Sequence, residues 1–229
     1  MPLADYSIAR RLDKLPGAIV AVSGGKDATA CLQLFRQHNP HGKLAGMFWY
    51  LVEGLEFQER YLRYLERRFE FRIMRLPHFF NAEYMRTAAY APPIAAPQVK
   101  QSDLVAYARE QTGLDWLILG EKKCDNPPRL WMLRKCKGWN ETERKAYPVA
   151  NWTHGQVFSY LKRCGIALPP EYRFGLSTSF GGFVGEELRL IKEQYPSDWK
   201  KIETRFPFID AAIFRAKIVE VSRVRDDHD

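Results

Sequence analysis

The sequence predicts an α/β fold: a mostly parallel sheet with helices on both faces, followed by a C-terminal helical extension. Two observations predict it. Short apolar runs of strand length recur along the first 120 residues, and segments with apolar residues at helical spacing separate them. Such alternation is typical of parallel sheets that are covered on both faces. The 229 residues, 46% of them hydrophobic, suffice for one packed domain with an appendage.

The elements follow one another in a regular order. Predicted strands lie at residues 18–22, 44–52, 71–76 and 116–120. Predicted helices lie between them at residues 28–38, 57–69 and 102–113. A Pro/Ala-rich loop at 91–97 precedes the last of these helices.

The character of the sequence changes after about Lys145. Thr153 and Gln156 have the spacing of a capping box, which predicts a helix that ends at Gly165. A glycine-rich loop at 175–183 and helices near 184–194 and 209–222 complete the pattern. We therefore divide the chain into an α/β domain, residues 1–150, and an extension, residues 151–229, that packs on it.

Charge and composition narrow the class of protein. The net charge of +8 and pI near 9.3 favour an acidic partner, whether a nucleotide, a nucleic acid or an anionic protein. No apolar run approaches the roughly 20 residues that span a bilayer, and the N-terminus lacks the apolar core of a secretory signal, so we expect a cytoplasmic protein without a membrane partner. The four cysteines form no C-x-x-C pair, which argues against a disulfide framework and a compact zinc site.

Much of the positive charge lies in residues 122–139, which also contain Trp131 and Trp139. This basic segment has two interpretations. It is a contact surface for a nucleic acid or a protein, or it is a solvated loop with two packed tryptophans.

The first predicted strand runs directly into Ser23-Gly24-Gly25-Lys26-Asp27. Ligands of open α/β sheets lie beyond the carboxyl ends of the strands, where a helix N-terminus offers amide donors. The two glycines allow close backbone approach and positive φ, and the hydroxyls of Ser23 and Thr29 and the ammonium of Lys26 add donors. The loop therefore predicts a phosphate site, although neither G-x-x-x-x-G-K-[ST] nor G-x-G-x-x-G is present.

The spacing resembles the S-G-G-x-D-[ST] signature of the PP-loop superfamily, and within it the phosphoadenosine phosphosulfate (PAPS) reductase family, which includes the small subunit of ATP sulfurylase. Three further segments resemble this family in the same order: residues 48–69 around Glu56, residues 114–129, and AYPVANWTHGQVFSYLKRCGIALPPEY at 146–172. The resemblance implies a PP-loop fold of the adenine nucleotide alpha hydrolase type that binds ATP or PAPS, with Mg²⁺ as a further ligand.

The resemblance also implies a set of site residues. Lys26 and Asp27 would take part in catalysis, and Asp27 would orient the loop or position Mg²⁺. The residues implied in nucleotide binding are Ser23, Gly24, Gly25, Lys26, Asp27, Thr29, Glu56, Gly120, Lys122 and Arg129. Two of them have simpler interpretations, Asp27 as a helix cap and Glu56 as a solvated helix-start residue.

The sequence departs from the family at the residues that carry redox chemistry. No cysteine follows Cys164, so the C-terminal E-C-G-[LI]-H motif is missing, and the paired cysteines of the iron–sulfur branch are missing too. We therefore expect no iron–sulfur cluster and no standard thioredoxin-dependent PAPS reduction. Ala28 replaces the usual Ser, and Lys122 replaces an Arg, which keeps the charge but loses the bidentate fork.

Three functions remain open. The first is a nucleotidyl transferase that activates a substrate by attack at the ATP α-phosphate and releases pyrophosphate. The second is a sulfonucleotide-binding protein of sulfur metabolism that transfers sulfur or sulfate with a thiol from a partner. The third is a non-catalytic nucleotide-sensing or DNA-binding subunit, and a homo-oligomer is compatible with all three.

Overall fold

The computed structural model describes residues 4–174, 184–216 and 218. The predicted loop at 175–183 lies outside the described residues, as does the end of the helix predicted at 209–222. Within that last prediction, residues 210–216 are helical.

The described residues contain a six-stranded sheet in the order β3-β2-β1-β4-β6-β5. The strands are β1 Gly17–Ala21, β2 Lys43–Tyr50, β3 Arg72–Pro77, β4 Leu117–Ile118, β5 Trp139–Asn140 and β6 Lys145–Ala146. Strand β1 pairs in parallel with β2 and β4, β4 pairs in parallel with β6, and β5 and β6 are antiparallel. The predicted mostly parallel α/β sheet is therefore confirmed.

Helices precede and follow these strands. Their bounds are α1 Lys26–His38, α2 Glu56–Phe69, α3 Phe80–Arg86, α4 Gln101–Thr112, α5 Pro127–Cys136, α6 His154–Arg163, α7 Gly185–Gln194 and α8 Pro196–Arg205. Short 3-10 helices cover Ala9–Lys14 and Pro170–Phe174. Across the part of the chain that the structure describes, none of the helices has the length and apolarity that crossing a bilayer requires.

The chain divides into two compact units. The first, which we call the sheet unit, comprises Met1–Phe48, Tyr61–Leu76 and Val105–Pro169; the second unit comprises the remaining residues. Each unit draws on several separate stretches of chain. The division at residue 150 stays a prediction.

The core of the sheet unit forms around β1 and α1. Ile19 and Val20 of β1 are fully buried, as are Leu34 and Phe35 on the inner face of α1. Helix α1 packs against α6 and the first 3-10 helix. This packing fixes the start of α1 at the carboxyl end of β1.

The second unit has a hydrophobic core of its own, formed by residues that include Leu188, Ile202 and Phe206. Asp198, only 2% exposed, accepts hydrogen bonds from the backbone N–H groups of Glu56 (2.8 Å) and Phe57 (3.0 Å). It therefore caps the start of α2, where the N–H groups have no partner within the helix.

The capping box predicted for α6 is confirmed. Thr153 Oγ1 accepts a hydrogen bond from the backbone N–H of Gln156, and Gln156 Oε1 accepts one from the backbone N–H of Thr153.

Several other elements differ from the sequence predictions. The strand expected at 116–120 is reduced to two residues, Leu117–Ile118. Helices α3, α5 and α8 were not predicted. Helix α5 occupies most of the basic segment and begins after an Asn126 cap.

Candidate functional site

The loop between β1 and α1 turns sharply at Gly24. The N–H of Val22 donates to the Met47 carbonyl at 2.8 Å, so the backbone continues the direction of β1 as far as Val22. Gly24 has φ of 74°, a conformation that favours glycine, whereas Gly25 has φ of −83° and is the N-cap of α1. The expectation of positive φ is therefore correct for Gly24 and wrong for Gly25, whose extended backbone any residue can adopt.

The hydroxyl groups of the loop have partners within the protein. Ser23 Oγ accepts from the N–H of Gly25 at 3.3 Å. Thr29 is fully buried; its Oγ1 donates to the Gly25 carbonyl at 3.0 Å and lies 3.2 Å from the hydroxyl of Tyr61. The Tyr61 hydroxyl donates in turn to the Ala167 carbonyl at 3.0 Å. Thr29 therefore holds the loop from within.

Asp27 joins the loop to the end of β4 through two lysines. Its Oδ2 lies 3.0 Å from Lys26 Nζ and 2.7 Å from Lys122 Nζ. Lys122 is fully buried, and its Nζ also lies 2.9 Å from Oδ1 of Asp125. Burial alone would lower the pKa of Lys122, but its hydrogen bonds to Asp27 and Asp125 outweigh burial and raise that pKa above its usual value. The lysine is therefore charged inside the protein.

Asp125 continues this series of ion pairs. Its Oδ2 accepts from the Lys122 N–H at 2.9 Å and pairs with Arg129 Nη1 at 3.0 Å. Burial would raise the pKa of Asp125, but the hydrogen bonds from Lys122 and the Arg129 charge outweigh it and lower the pKa. We call Lys26, Asp27, Lys122, Asp125 and Arg129 the charge chain. Its signs alternate along its length.

Gly120 lets this end of β4 approach α1. A Cβ at Gly120 would lie 2.9 Å from the backbone N of Ala28 and 2.9 Å from the backbone C of Asp27. No real Cβ tolerates such contacts with backbone, so a side chain here would displace the first turn of α1. Gly120 therefore fixes the position of the loop, whether or not it also contacts a ligand.

The structure brings most of the predicted site residues together in the sheet unit. Residues 23–27, Thr29, Gly120, Lys122 and Arg129 are linked by the contacts just described. Glu56 belongs to the second unit, where its backbone N–H at the start of α2 donates to Asp198. Asp125 was missed, although its i,i+3 spacing from Lys122 was a signal for such an ion pair.

Asp27 also offers an oxygen to a cation. Its Oδ1 is buried and has no hydrogen-bond partner within the described ranges. Carboxylate oxygens are the ligands that Mg²⁺ prefers in proteins. The residue therefore fits the metal that the family resemblance implies.

The comparison with protein families decides the assignment. The model of the phosphoadenosine phosphosulfate reductase domain matches residues 17–184. The chain belongs to this family. A search of curated proteins finds no match.

Solved structures with similar folds include members of several enzyme classes. The U34-tRNA thiolase NcsA from Methanococcus maripaludis with its [4Fe-4S] cluster is 12% identical, with TM-score 0.46 and coverage of 89% of this chain and 78% of that one. The PAPS reductase from Candida auris in a phosphate complex is also 12% identical, with TM-score 0.49 and coverage of 73% and 85%. The FMN adenylyltransferase from Candida glabrata in complex with ATP is 10% identical, with TM-score 0.51; the match covers 75% of this chain and 58% of that one. Of these three, the FMN adenylyltransferase alone has a TM-score above 0.5, and at 10% identity its likeness concerns the fold alone.

Proposed function

We propose that the loop Ser23–Asp27 binds the phosphates of an adenine nucleotide, ATP or PAPS. The observation that carries the proposal is the turn at Gly24, which delivers the chain into the N-terminus of a 13-residue helix at the carboxyl end of a central parallel strand. The first N–H groups of a helix lack partners within it and lie at the positive end of its dipole. Lys26 adds a positive charge at the same place.

With ATP, the favoured reaction is attack of a substrate on the α-phosphate with release of pyrophosphate. Lys26 neutralises charge on the leaving pyrophosphate, and the backbone N–H groups of the loop donate hydrogen bonds to its oxygens. Lys122 contributes to this reaction indirectly, because its buried ammonium group holds the side chain of Asp27 in place. A bound Mg²⁺ would be held by Asp27 Oδ1 and would supply further charge neutralisation at the phosphates.

The family assignment supports a second reaction on the same site. A sulfonucleotide would place its phosphates on the loop. A thiolate that a partner supplies would attack the sulfur, and an S-sulfonated thiol would form as the bond from sulfur to the phosphate oxygen breaks, with the nucleotide phosphate as the leaving group. The two candidates differ in the nucleotide that binds and in the need for ATP turnover, so binding measurements separate them.

Isothermal titration of the full chain with ATP and with PAPS, followed by an assay of pyrophosphate release, tests the proposal. The matched variant is Gly25→Val: φ of −83° suits valine, so the fold is kept, while the side chain fills the space that a phosphate needs. We expect the variant to lose nucleotide binding. Affinity equal to that of the unchanged chain would contradict the phosphate site, and tight PAPS binding without ATP binding would select the sulfonucleotide reaction.

A contact with a nucleic acid is a further candidate role, supported by the exposed face of α5. Trp131 is 67% exposed, and Arg134 and Lys135 on the same helix are also exposed. Trp139, at the other end of the basic segment, is buried against Trp116. Exposed aromatic and basic side chains together suit stacking on bases and neutralisation of phosphates.

A further inference from the structure

We propose that Cys124, Asp125 and His154 form a binding site for a borderline transition-metal cation of the Zn²⁺ type. A ligand atom from each residue, the thiol sulfur, a carboxylate oxygen and an imidazole nitrogen, lies within 4.8 Å of the other two. The proposal rests on this geometry and does not depend on whether the loop Ser23–Asp27 binds a nucleotide, although Asp125 also belongs to the charge chain. The sequence did not predict this site, because Cys124 and Asp125 are adjacent in the chain whereas His154 lies far downstream.

Hydrogen bonds hold the two ligand-bearing segments side by side. The N–H of Lys123 donates to the Ala150 carbonyl at 2.9 Å, and the Cys124 thiol donates to the Trp152 carbonyl at 3.4 Å. His154 is the first residue of α6, directly after the capping box at Thr153. The backbone positions of the ligands are therefore set before any cation binds.

The distances are close to those of a tetrahedral ion. Nε2 of His154 lies 4.0 Å from Oδ1 of Asp125. Two ligands at bonds of about 2.1 Å to one tetrahedral Zn²⁺ are about 3.4 Å apart, so rotations of exposed side chains close the site. Asp125 already pairs with Lys122 and Arg129, but a carboxylate has about four lone-pair sites and can accept one further bond.

The ligand set selects the type of cation. A thiolate, an imidazole and a carboxylate suit Zn²⁺ or Co²⁺, whereas Mg²⁺ and Ca²⁺ take oxygen ligands alone. Three protein ligands leave a fourth position open to water or another small ligand. Cys124 and His154 are exposed, so a cation enters directly from solvent. The charges of Lys122 and Arg129 nearby reduce the affinity.

The test uses Co²⁺ as the probe on the full chain with its thiols reduced. Binding at this site produces a near-ultraviolet thiolate-to-cobalt charge-transfer band that saturates at one Co²⁺ per chain and disappears when Zn²⁺ is added. Cys124→Ser should abolish the band. His154→Gln should weaken Co²⁺ binding at least tenfold, since even residues that only support metal ligands contribute about that much.

Matched controls separate this site from others in the chain. Cys164→Ser and His41→Gln change the same residue types elsewhere and should leave the band unchanged. Zn²⁺ should also slow alkylation of Cys124 by iodoacetamide, read by mass spectrometry, and leave alkylation of Cys136 unaffected. The absence of a charge-transfer band from the unchanged chain, or a band that persists in Cys124→Ser, would overturn the proposal.

Discussion

The ammonium nitrogen of the fully buried Lys122 lies 2.7 Å from the Oδ2 atom of Asp27, at the point where the loop Ser23–Asp27 enters α1. This contact joins the end of one strand to the start of the helix after its neighbour. Because Nζ also pairs with Asp125, the lysine is charged between two carboxylates. The contact stabilises the fold only while the lysine and the carboxylates are all present and charged. The first prediction follows from the loss of the lysine.

Lys122→Met should destabilise the protein strongly. Removing the buried cation leaves Asp27 with only Lys26 and Asp125 with only Arg129 as a positive partner, at a cost of up to about 3–5 kcal/mol. We expect a loss of this size in the free energy of unfolding, measured by urea denaturation. Lys123→Met, at a partly exposed neighbouring position, is the control and should change it by less than about 0.5 kcal/mol. Equal stability of the two variants would show that the ion pair contributes little.

Gly120→Ala should affect both stability and nucleotide binding. The new Cβ would lie 2.9 Å from the backbone of α1, so the first turn must move, at a cost of about 1–3 kcal/mol. That displacement moves the amides of the loop, and we expect weaker binding of ATP or PAPS in isothermal titration. Gly113→Ala is the control, because its Cβ meets nothing within 4 Å and its φ of 65° costs only backbone strain. It should lose about 1–2 kcal/mol of stability and keep its affinity.

Asp125→Asn should show a distinctive dependence on pH. The pKa of Asp125 is lowered in the folded state: burial opposes this, and the contacts with Lys122 and Arg129 outweigh burial. Its ionised carboxylate therefore stabilises the fold above the unfolded pKa of about 3.9, and this stability is lost as the pH falls through the lower folded pKa.

The difference in unfolding free energy between the unchanged chain and Asp125→Asn should therefore be constant at neutral pH and shrink as the pH falls below the unfolded pKa of about 3.9. Urea denaturation across this range measures it. Asp115→Asn, at an exposed position, is the control and should differ little from the unchanged chain throughout. A difference for Asp125→Asn that stays constant with pH would contradict the role of the ionised carboxylate.

Trp131→Ala should leave the fold intact and weaken binding to single-stranded DNA. The side chain is 67% exposed, so the free energy of unfolding should change by less than about 0.5 kcal/mol. Stacking on one base contributes about 1–3 kcal/mol, and we expect a loss of affinity in that range by fluorescence anisotropy. Tyr107→Ala removes an aromatic side chain of α4 that is 47% exposed and should leave the affinity unchanged. An unchanged chain that does not bind single-stranded DNA would contradict the role of α5 in nucleic-acid contact.

The elements near the loop were predictable because local patterns determine them. The apolar strand before Ser23 and the capping box at Thr153 each depend on residues a few positions apart, and both appear in the structure. Helix α5 had a local signal as well, since Asn126 followed by two prolines is a typical helix start. The density of basic residues after it favoured a loop or a contact surface and obscured that signal.

The sequence predicted which residues lie at the candidate site, but it did not predict the contacts that each of them makes. Lys122 was expected to contact a phosphate, yet the structure buries it between Asp27 and Asp125, and direct contact with a ligand stays a prediction. A pairing between residues so far apart in the chain depends on which strands are neighbours in the sheet. Local spacing does not contain that information.

The alternating signs of the charge chain limit which amino-acid substitutions relatives of this protein can accept at positions 27, 122 and 125. A neutral residue at position 122 leaves two carboxylates facing each other, and a neutral residue at 27 or 125 leaves a buried cation with half its compensation. Accepted substitutions at these positions should therefore be correlated among relatives, with 27, 122 and 125 exchanged as a set. Arg129, at one end of the charge chain and with a side chain that is 42% exposed, should vary independently of that set.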